Sequence, residues 1–443
     1  MNKIKRKRNN YSIYDIVLPH DIADMIDSKL GTEKKLDTYR ICAYVIFRIG
    51  IDGKLHEISS KYIRSLIPGY RKYLDRLIIE NIITTDNKYL CSISNDWSGD
   101  SKCKSYRLNS TFSSFRTIKV CYPKIIDALE GSSSLNSECQ EDSKVTKIAH
   151  RNLKRFQIDL ESAITYLCER QRGQIKGKEP LETQDAIAAF VGIMRIRNGF
   201  HYAKSCNYGR IHTNYTCLDS NIKMRCVFHI SGKSLIHIDI QNSQASILRA
   251  VLLKRLDMND PKIKAEMEMY TQFCKADLYE VLYLTSFAVD NIDSYNNEET
   301  AKEFENLFKQ ELDQKLMRKT AKQEIIKMLF DKKSQGRKKG KNLELYKKFK
   351  KIFPRIYEEI KKIKENQYQH LAHELQRFES RQILHPLIKF LNKEKIDFIS
   401  IHDSVIILKE YKEIVINEFN RILINCNVET ELKVEELYNR NII

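Results

Sequence analysis

The chain has 443 residues, 42% of them hydrophobic, and its 76 basic and 58 acidic side chains give a formal net charge of +18. This length predicts about three domains with a large buried core. The sequence contains no apolar run long enough to cross a membrane, and its basic N-terminus lacks the apolar segment of a signal peptide. We therefore expect a cytoplasmic protein with no membrane partner. Eleven scattered cysteines predict free thiols rather than disulfides.

The positive charge favours a polyanionic partner such as nucleic acid. Abundant Lys, Ile, Asn and Tyr can also reflect an AT-rich coding sequence, so the charge alone does not decide between these explanations.

Residues 1–13 are basic, and we expect a disordered tail there. The segment 14–125 contains three helical patterns followed by two strand-like runs, KYLCSIS and KSYRLNS. That order predicts a winged helix-turn-helix domain that binds duplex DNA. Its third helix would present three cations to DNA: Arg71, Lys72 and Arg76. The alternative is a small helical domain with a solvated basic face. The small, polar residues near 131–143 predict a linker, which we place at 126–143.

Two strand-like segments each carry an aspartate beside a polar turn. Residues 236–249 run from a β-pattern through Asp239 into a Gln-Asn-Ser-Gln turn, and residues 398–408 place His402 and Asp403 between two apolar runs. A pair of carboxylates held on strands is the arrangement that two-metal phosphoryl transfer requires.

A helical segment between the aspartates carries cations and apolar residues along one stripe. Arg318, Lys322, Ile326 and Phe330 follow each other at intervals of four residues. The cationic end could bind a triphosphate, and the apolar end could pack on a base. The alternative is an ordinary amphipathic helix with solvated charges.

The order of these segments resembles motifs A, B and C of the single-subunit right-hand polymerases, which comprise the family A DNA polymerases and the phage-type RNA polymerases. A closer resemblance is to polymerase-like replication proteins of phages and plasmids. It rests on YGRIHTNYTCL, IDIQNSQASIL, FPRIYEEIKK, ELQRFES and SIHDS, and it covers about residues 205–410.

The resemblance implies an α+β fold in which a winged-helix domain precedes a right-hand palm with an antiparallel sheet, helical fingers and a partial helical thumb. The helical thumb or template-binding region would be 144–235, and palm and fingers would be 236–443, with the fingers at 275–341.

The resemblance also implies residue roles. Asp239 and Asp403 would hold two Mg²⁺ ions, with Mn²⁺ as a substitute, and Lys322 would be the third catalytic residue. The nucleoside triphosphate would contact Arg318, Lys322, Ile326, Phe330 and Gln244. Primer and template would contact His402, Arg210, Gln376, Arg377, Glu379, Lys338 and Lys339. Nucleic acid and nucleoside triphosphates are thus the implied partners, and other replication proteins are a further one.

The chain departs from the family at three positions. Gln244 occupies the place of the residue that senses the sugar, Phe330 stands for the usual Tyr, and Asp331 for the Gly after it. Sugar selectivity therefore cannot be inferred from these residues. We favour a DNA polymerase. The alternatives are an RNA polymerase or primase, a template-independent nucleotidyltransferase, and a non-catalytic replication initiator or DNA-binding regulator.

A zinc site is a competing interpretation of six residues within one short segment. They are His201, Cys206, His212, Cys217, Cys226 and His229. Zinc sites usually contain a short Cys-Cys knuckle, which is lacking here, so ordinary buried thiols are the preferred interpretation.

Overall fold

The computed structural model describes residues 14–33, 35–86, 103–121, 140–279, 282, 311–330, 344–365 and 367–437. These residues form a mixed structure of many helices and small antiparallel sheets. The helices are α1 (His20–Leu30), α2 (Leu36–Ile49), α3 (Ser60–Leu66), α4 (Arg71–Ile79), α5 (Gln140–Leu153), α6 (Leu160–Gln171), α7 (Thr183–Arg197), α8 (Ser220–Arg225), α9 (Ser243–Leu252), α10 (Pro261–Ala276), α11 (Glu311–Phe330), α12 (Glu344–Ile352), α13 (Pro354–Glu365), α14 (His370–Phe378), α15 (His385–Lys393) and α16 (Lys412–Asn425). The strands are β1 (Tyr14–Pro19), β2 (His56–Glu57), β3 (Ile83–Thr85), β4 (Ser105–Leu108), β5 (Phe115–Val120), β6 (Phe156–Ile158), β7 (Ala203–Ser205), β8 (Ile211–Thr213), β9 (Val227–His229), β10 (Leu235–Ile240), β11 (Phe398–Ile401), β12 (Ser404–Leu408) and β13 (Leu432–Glu436).

Several sequence predictions lie outside the described residues. They concern the tail 1–13, the first wing strand at 88–94, most of the linker 126–143, and the basic loop 331–341 with Lys338 and Lys339. Within the described ranges, no helix has both the length and the apolar character needed to cross a bilayer.

The N-terminal part combines helices α2, α3 and α4 with a three-stranded sheet. Its strand order is β2-β4-β3, with both pairs antiparallel. Each helix buries an apolar face; in α4 that face consists of Tyr73, Leu74 and Leu77. The side chains of Arg71, Lys72 and Arg76 lie on the opposite, exposed face, where Arg76 pairs with Glu80 at 2.8 Å. A second sheet pairs β1 with β5 along their whole length.

Aromatic side chains join this N-terminal part to the rest of the chain. Phe47 of α2 meets Phe190 of α7 edge-on at 5.0 Å between ring centroids, and Tyr44 lies 5.9 Å from the same ring. The backbone N–H of Asp15 donates to the side chain of Asn198 at 2.9 Å. The N-terminal part therefore shares a core with the segment that follows the predicted linker.

Two predictions for the middle of the chain need correction. Helix α5 begins at Gln140, so residues 140–143 belong to a helix rather than to the linker. The predicted helical region 144–235 also contains strands β6 to β9, which pair as two short antiparallel ribbons. Each of these strands is only three residues long. So short a run gives no clear alternation of apolar and polar residues in the sequence.

The central element is a four-stranded antiparallel sheet with the order β11-β12-β10-β13. All nine residues of β11 and β12 are buried, which explains why seven of them are apolar and why the pattern does not alternate; the other two are Ser400 and Ser404. Helix α5 packs against β11 and against α15. The pairing places Asp239 opposite both Ser404 of β12 and Lys433 of β13.

Helices α14 and α15 are joined without a break by a π-helical segment, Glu379–Leu384. Pro386 explains this change of winding, because a proline cannot donate a backbone hydrogen bond to the carbonyl of Gln382 and its ring crowds that position. The carbonyl of Gln382 accepts instead from the thiol of Cys426 at 3.4 Å. The wider winding brings Glu379 and Ser380 into the core, and π-helical turns occur frequently at functional sites.

Candidate active site

Asp239 and Asp403 lie side by side at one end of the four-stranded sheet. Asp239 is directly opposite Ser404, and directly opposed residues have Cβ atoms about 4.5–5.5 Å apart. Asp403 precedes Ser404 in the two-residue turn between β11 and β12, where His402 has a φ of +49°. Histidine is one of the residues that tolerate this backbone region. The hydroxyl of Ser243 donates to Asp403 Oδ2 at 2.5 Å.

The two carboxylates are electrostatically coupled. Burial raises the pKa of Asp239, and the negative charge of Asp403 raises it further, while Lys322 and Lys433 oppose the rise. Two half-buried acids at close range have this effect because the charge on one disfavours the charge on the other. A divalent cation would supply that compensation.

The donor set fits Mg²⁺, which prefers carboxylate oxygens and retains waters and substrate phosphates as its other ligands. Among the described residues there is no group of three or more His, Cys, Asp or Glu side chains placed to hold a metal ion. Two carboxylate ligands leave coordination positions of the metal ion open. Such a partial set is expected where the substrate completes the coordination of the metal.

The predicted stripe of the cationic helix faces the aspartates across a cavity of about 390 Å³. That volume lies within the range of small-molecule sites. The sequence-predicted residues that line it are Asp239, Asp403, Arg318, Lys322, Ile326, Phe330, Gln244, Arg210 and His402. The remaining lining residues are Ile240, Gln241, Asn242, Ser243, Tyr279 and Lys433.

Arg318 is held in place from the side of helix α10. Its Nε donates to Asp277 Oδ2 at 2.5 Å, and another guanidinium nitrogen donates to Asn242 Oδ1 at 3.2 Å. Asp277 is only 8% exposed. The ring of Tyr279 lies 5.8 Å from the guanidinium carbon of Arg318 and 5.9 Å from Lys322 Nζ. These contacts orient both cations towards the cavity.

Sequence reasoning did not identify Asp277 or Tyr279 as site residues. Both lie at the start of the range 275–341, which the resemblance assigned only to the fingers as a whole. Asp277 has no local feature that marks it as a site residue, and its partner Arg318 is 41 residues away. Tertiary contact alone reveals the pair.

Glu379 is the buried anchor of a second network at the edge of the cavity. Its side chain is 0% exposed and accepts two hydrogen bonds from Arg210, each 3.0 Å long. It also accepts from Gln244 Nε2 at 2.5 Å. Burial raises the pKa of Glu379 to about 7, despite the opposing charge of Arg210.

The expectation that Glu379 itself touches primer or template therefore needs correction. A fully buried carboxylate cannot reach a nucleic acid, but it fixes Arg210 and Gln244, which do line the cavity. The wider π-helical winding places this side chain inward. Gln376 is half-buried and Arg377 is exposed on α14, and neither lines the cavity.

His237 and Ser404 form a further network beneath the aspartates that the sequence did not reveal. Ser404 Oγ donates to the carbonyl of Ile401 at 2.8 Å and lies 2.7 Å from His237 Nε2. Since the serine proton is engaged with that carbonyl, His237 donates from Nε2. The two bonds tie β10 to the turn that carries Asp403. On the neighbouring strand β13, Glu435 lies opposite His237 and Lys433 lies opposite Asp239.

The six residues of the zinc interpretation do not converge. Burial opposes ionisation of the Cys206 thiol, but hydrogen bonds from His212 and from the backbone of Tyr208 and Arg210 lower its pKa overall. His229 is bonded to Asp397 at 3.0 Å and to Ser231 at 2.7 Å. The nine cysteines that the structure describes are free thiols.

Comparison with known proteins gives little guidance. No protein-family model and no curated protein matches this chain. Among solved structures, one similar chain is the POL domain of Pol1 from M. smegmatis, in a complex with DNA primer-template and dNTP. The identity is 9% and the TM-score 0.34, over 71% of this chain and 66% of that one. A similarity at this level supports neither fold nor function by itself.

Proposed function

We propose that the chain is a nucleotidyltransferase that extends a nucleic-acid primer, with DNA as the favoured product. The observation that supports this most is that Asp239 on β10 and Asp403 in the turn before β12 lie side by side, opposite Arg318 and Lys322 across one cavity. Two carboxylates and two cations on facing walls match the two charged ends of a bound metal–triphosphate. Strands β10 to β13 would be the palm and helix α11 part of the fingers, with the partial thumb between residues 144 and 235.

The charged residues of the cavity would have different chemical roles. Asp239 and Asp403 would hold Mg²⁺, which activates a hydroxyl nucleophile and stabilises the leaving pyrophosphate. Arg318 would contact the triphosphate through its planar guanidinium once a phosphate competes with Asp277. Lys322 would neutralise the leaving group and give it a proton.

The C-terminal half of helix α11 supplies an apolar surface. Ile326 and Phe330 line the cavity one and two turns beyond Lys322. We propose that they pack on the base and sugar of the incoming nucleotide, because an aromatic ring and a branched aliphatic chain offer contact to any base. Gln244 and Arg210, both fixed by Glu379, would contact the sugar and the primer or template strand.

We further propose that residues 14–121 contain a winged helix that binds duplex DNA. Helices α2, α3 and α4 followed by β3 and β4, with β2 as the third strand, have the order expected for that fold. The exposed face of α4 carries Arg71, Lys72 and Arg76.

A primer-extension panel tests the proposed function and separates the alternatives. It combines DNA and RNA templates with dNTPs or NTPs, in Mg²⁺ or Mn²⁺, and includes an unprimed and an untemplated arm. Extension of a primer on DNA with dNTPs is the expected result. Extension with NTPs only would indicate an RNA polymerase or primase, and untemplated addition a terminal transferase. Failure in every arm, by a folded protein that binds DNA, would favour a non-catalytic initiator or regulator.

A further inference from the structure

A small buried cavity lies directly behind the turn that carries Asp403. The centre of a water-sized sphere can move through about 10 Å³ of it, which is about the space that one water molecule needs. Its walls come from the π-helical segment, strand β11 and the hairpin of β7 and β8. The apolar lining consists of Ile211, Leu384 and Ile388.

Three buried polar atoms belong to residues that line this cavity. Ser380 is 1% exposed and Ser400 is 4% exposed. The Oγ atoms of these two serines and Nδ1 of His402 have no hydrogen-bond partner among the described residues. A buried polar group without a partner costs about 1–3 kcal/mol, so three around one cavity call for a shared partner.

The other polar groups of the cavity are already engaged. His385 donates from Nε2 to the carbonyl of Gly209 at 2.9 Å, and the N–H of Gly209 donates to the carbonyl of Cys206 at 2.8 Å. The partner required by the three atoms must therefore be small, neutral, and able both to accept and to donate.

We propose that this cavity binds one ordered water molecule, which joins Ser380, Ser400 and His402 and fixes the orientation of the histidine at the active site. Each serine hydroxyl has a proton to donate, and the water oxygen accepts both. The water in turn donates to Nδ1 of His402. Three hydrogen bonds are the typical number for a buried water.

This pattern determines which nitrogen of His402 carries the proton. An Nδ1 that accepts from water leaves the proton of the neutral ring on Nε2. His402 also lines the large cavity that contains the two aspartates. Its Nε2–H is then the ring's donor on the cleft side, available to an oxygen of the primer end. His402 is thus a positioning residue, and this role, unlike the water site, rests on the proposed polymerase function.

Two measurements on the full-length chain test the water site without any assay of activity. A crystal structure should show one ordered peak within about 2.7–3.2 Å of Ser380 Oγ, Ser400 Oγ and His402 Nδ1. NMR of the ¹⁵N-histidine-labelled protein should show the Nε2–H tautomer for His402. Both measurements remain decisive if the chain proves not to be a polymerase.

The variant Ser400→Val places methyl groups where the hydroxyl stands and should displace the water. The peak should disappear, and the His402 tautomers should become mixed. In primer extension, kcat should fall about 2- to 10-fold, the effect of one lost hydrogen bond, with an unchanged KM for nucleotide. Should that variant not fold, Ser380→Val displaces the same oxygen from the opposite wall.

Ser246→Ala is the matched control, because Ser246 is 0% exposed, its Oγ also has no described partner, and it does not line this cavity. It should change neither the peak nor the tautomer. A dry cavity around three ordered side chains, or an Nδ1–H tautomer in the unaltered protein, would overturn the proposal. If the unaltered protein shows the water and Ser400→Val loses it without any change in kcat, the water site stands and the positioning role is overturned.

Discussion

Lys322 faces the two aspartates across the cavity proposed for the triphosphate. Its charge lowers the pKa of Asp239, so the two side chains are within electrostatic reach of each other. We predict that Lys322→Ala lowers the rate of single-turnover nucleotide addition by a factor of about 10²–10⁴, the contribution of a general acid. The control is Lys327→Ala, which removes an exposed lysine of the same helix that does not line the cavity. Equal rates for the two variants would remove Lys322 from the mechanism.

Two carboxyls, the half-buried Asp239 and the buried Glu379, predict how stability depends on pH. Asp239 and Glu379 both have raised pKa values, near 7 for Glu379, so the folded protein holds their protons more tightly than the unfolded chain does. Their contribution is fully present below the ordinary carboxyl pKa and is lost as pH rises through the folded-state values. Without metal, the melting temperature should therefore fall from about pH 6 to about pH 8.

Mg²⁺ should reverse part of this loss, since it competes with the proton at Asp239. Thermal denaturation with and without Mg²⁺ should show a larger stabilisation at pH 8 than at pH 6, and Asp239→Asn should abolish that difference. An equal Mg²⁺ effect at both pH values would contradict a metal site at these carboxylates.

At the scale of single residues, the sequence predicted which charges would meet but not what holds them. Asp239, Asp403, Arg318 and Lys322 carry recognisable local signals: a strand, a turn and a helical interval. The ion pairs that support the site carry none. Glu379 lies in the motif ELQRFES, but its partner Arg210 is 169 residues away, and Asp277 is 41 residues from its partner Arg318. Such pairs form only through tertiary packing.

Among the elements, the contact between the β7–β8 hairpin and the π-helical segment should control the position of Arg210. Gly209 has a φ of +82°, and a Cβ atom there would lie 3.2 Å from Arg381 Cγ and 3.4 Å from Ser380 Cβ. We predict that Gly209→Ala lowers stability by about 1–3 kcal/mol for the backbone strain and also displaces Arg210, which reduces primer extension.

Gly199→Ala separates these two effects. Gly199 has a φ of +73° with nothing within 4 Å of the added Cβ, so it carries the backbone strain without the contact. It should lower the melting temperature but leave the extension rate per folded molecule unchanged. If both variants reduce that rate equally, the close contact with the π-helical segment has no part in catalysis.

The elements themselves differed in how far the sequence predicted them. The four-residue intervals from Arg318 to Phe330 and the apolar runs of β11 and β12 predicted the second half of α11 and the hairpin. No such pattern predicted the π-helical segment, because a proline inside a helical pattern predicts a break, whereas here the helix continues with a wider turn and the carbonyl of Gln382 accepts from the thiol of Cys426. Strand β13 pairs with β10 through distant parts of the chain, so its place at the edge of the sheet has no local signal in the sequence.

For the molecule as a whole, the N-terminal part is predicted to supply DNA affinity. Lys72 lies on the exposed face of α4, with its Nζ 5.0 Å from the ring of Tyr73. We predict that Lys72→Ala weakens binding of the full chain to duplex DNA and reduces the log–log salt slope by about 1, as one phosphate contact is lost. The control is Lys119→Ala, which removes an exposed lysine of strand β5. That strand pairs with β1 and is not part of the sheet β2-β4-β3 of the proposed winged helix. Identical salt slopes for both variants would make a protein-docking role the better account of this face.

The packing of the whole molecule also decides which experiment is informative. Deletion of residues 1–125 would remove Tyr44 and Phe47 from the ring of Phe190 and expose a core surface. The sequence had suggested a separable domain on a linker, because it gives no sign of this shared core. Point substitutions on the exposed face of α4 avoid that difficulty.

The proposed function requires both Asp239 and Asp403 for nucleotide transfer. Its most direct test is single-turnover primer extension with Mg²⁺ by Asp239→Asn and Asp403→Asn. Asp257→Asn is the control, since Asp257 is an exposed residue that only caps a turn. We predict that both site variants lose extension while they stay folded, as judged by circular dichroism, and keep their primer–template affinity, and that the control keeps all three properties. Extension by either site variant at the rate of the unaltered protein would contradict the account.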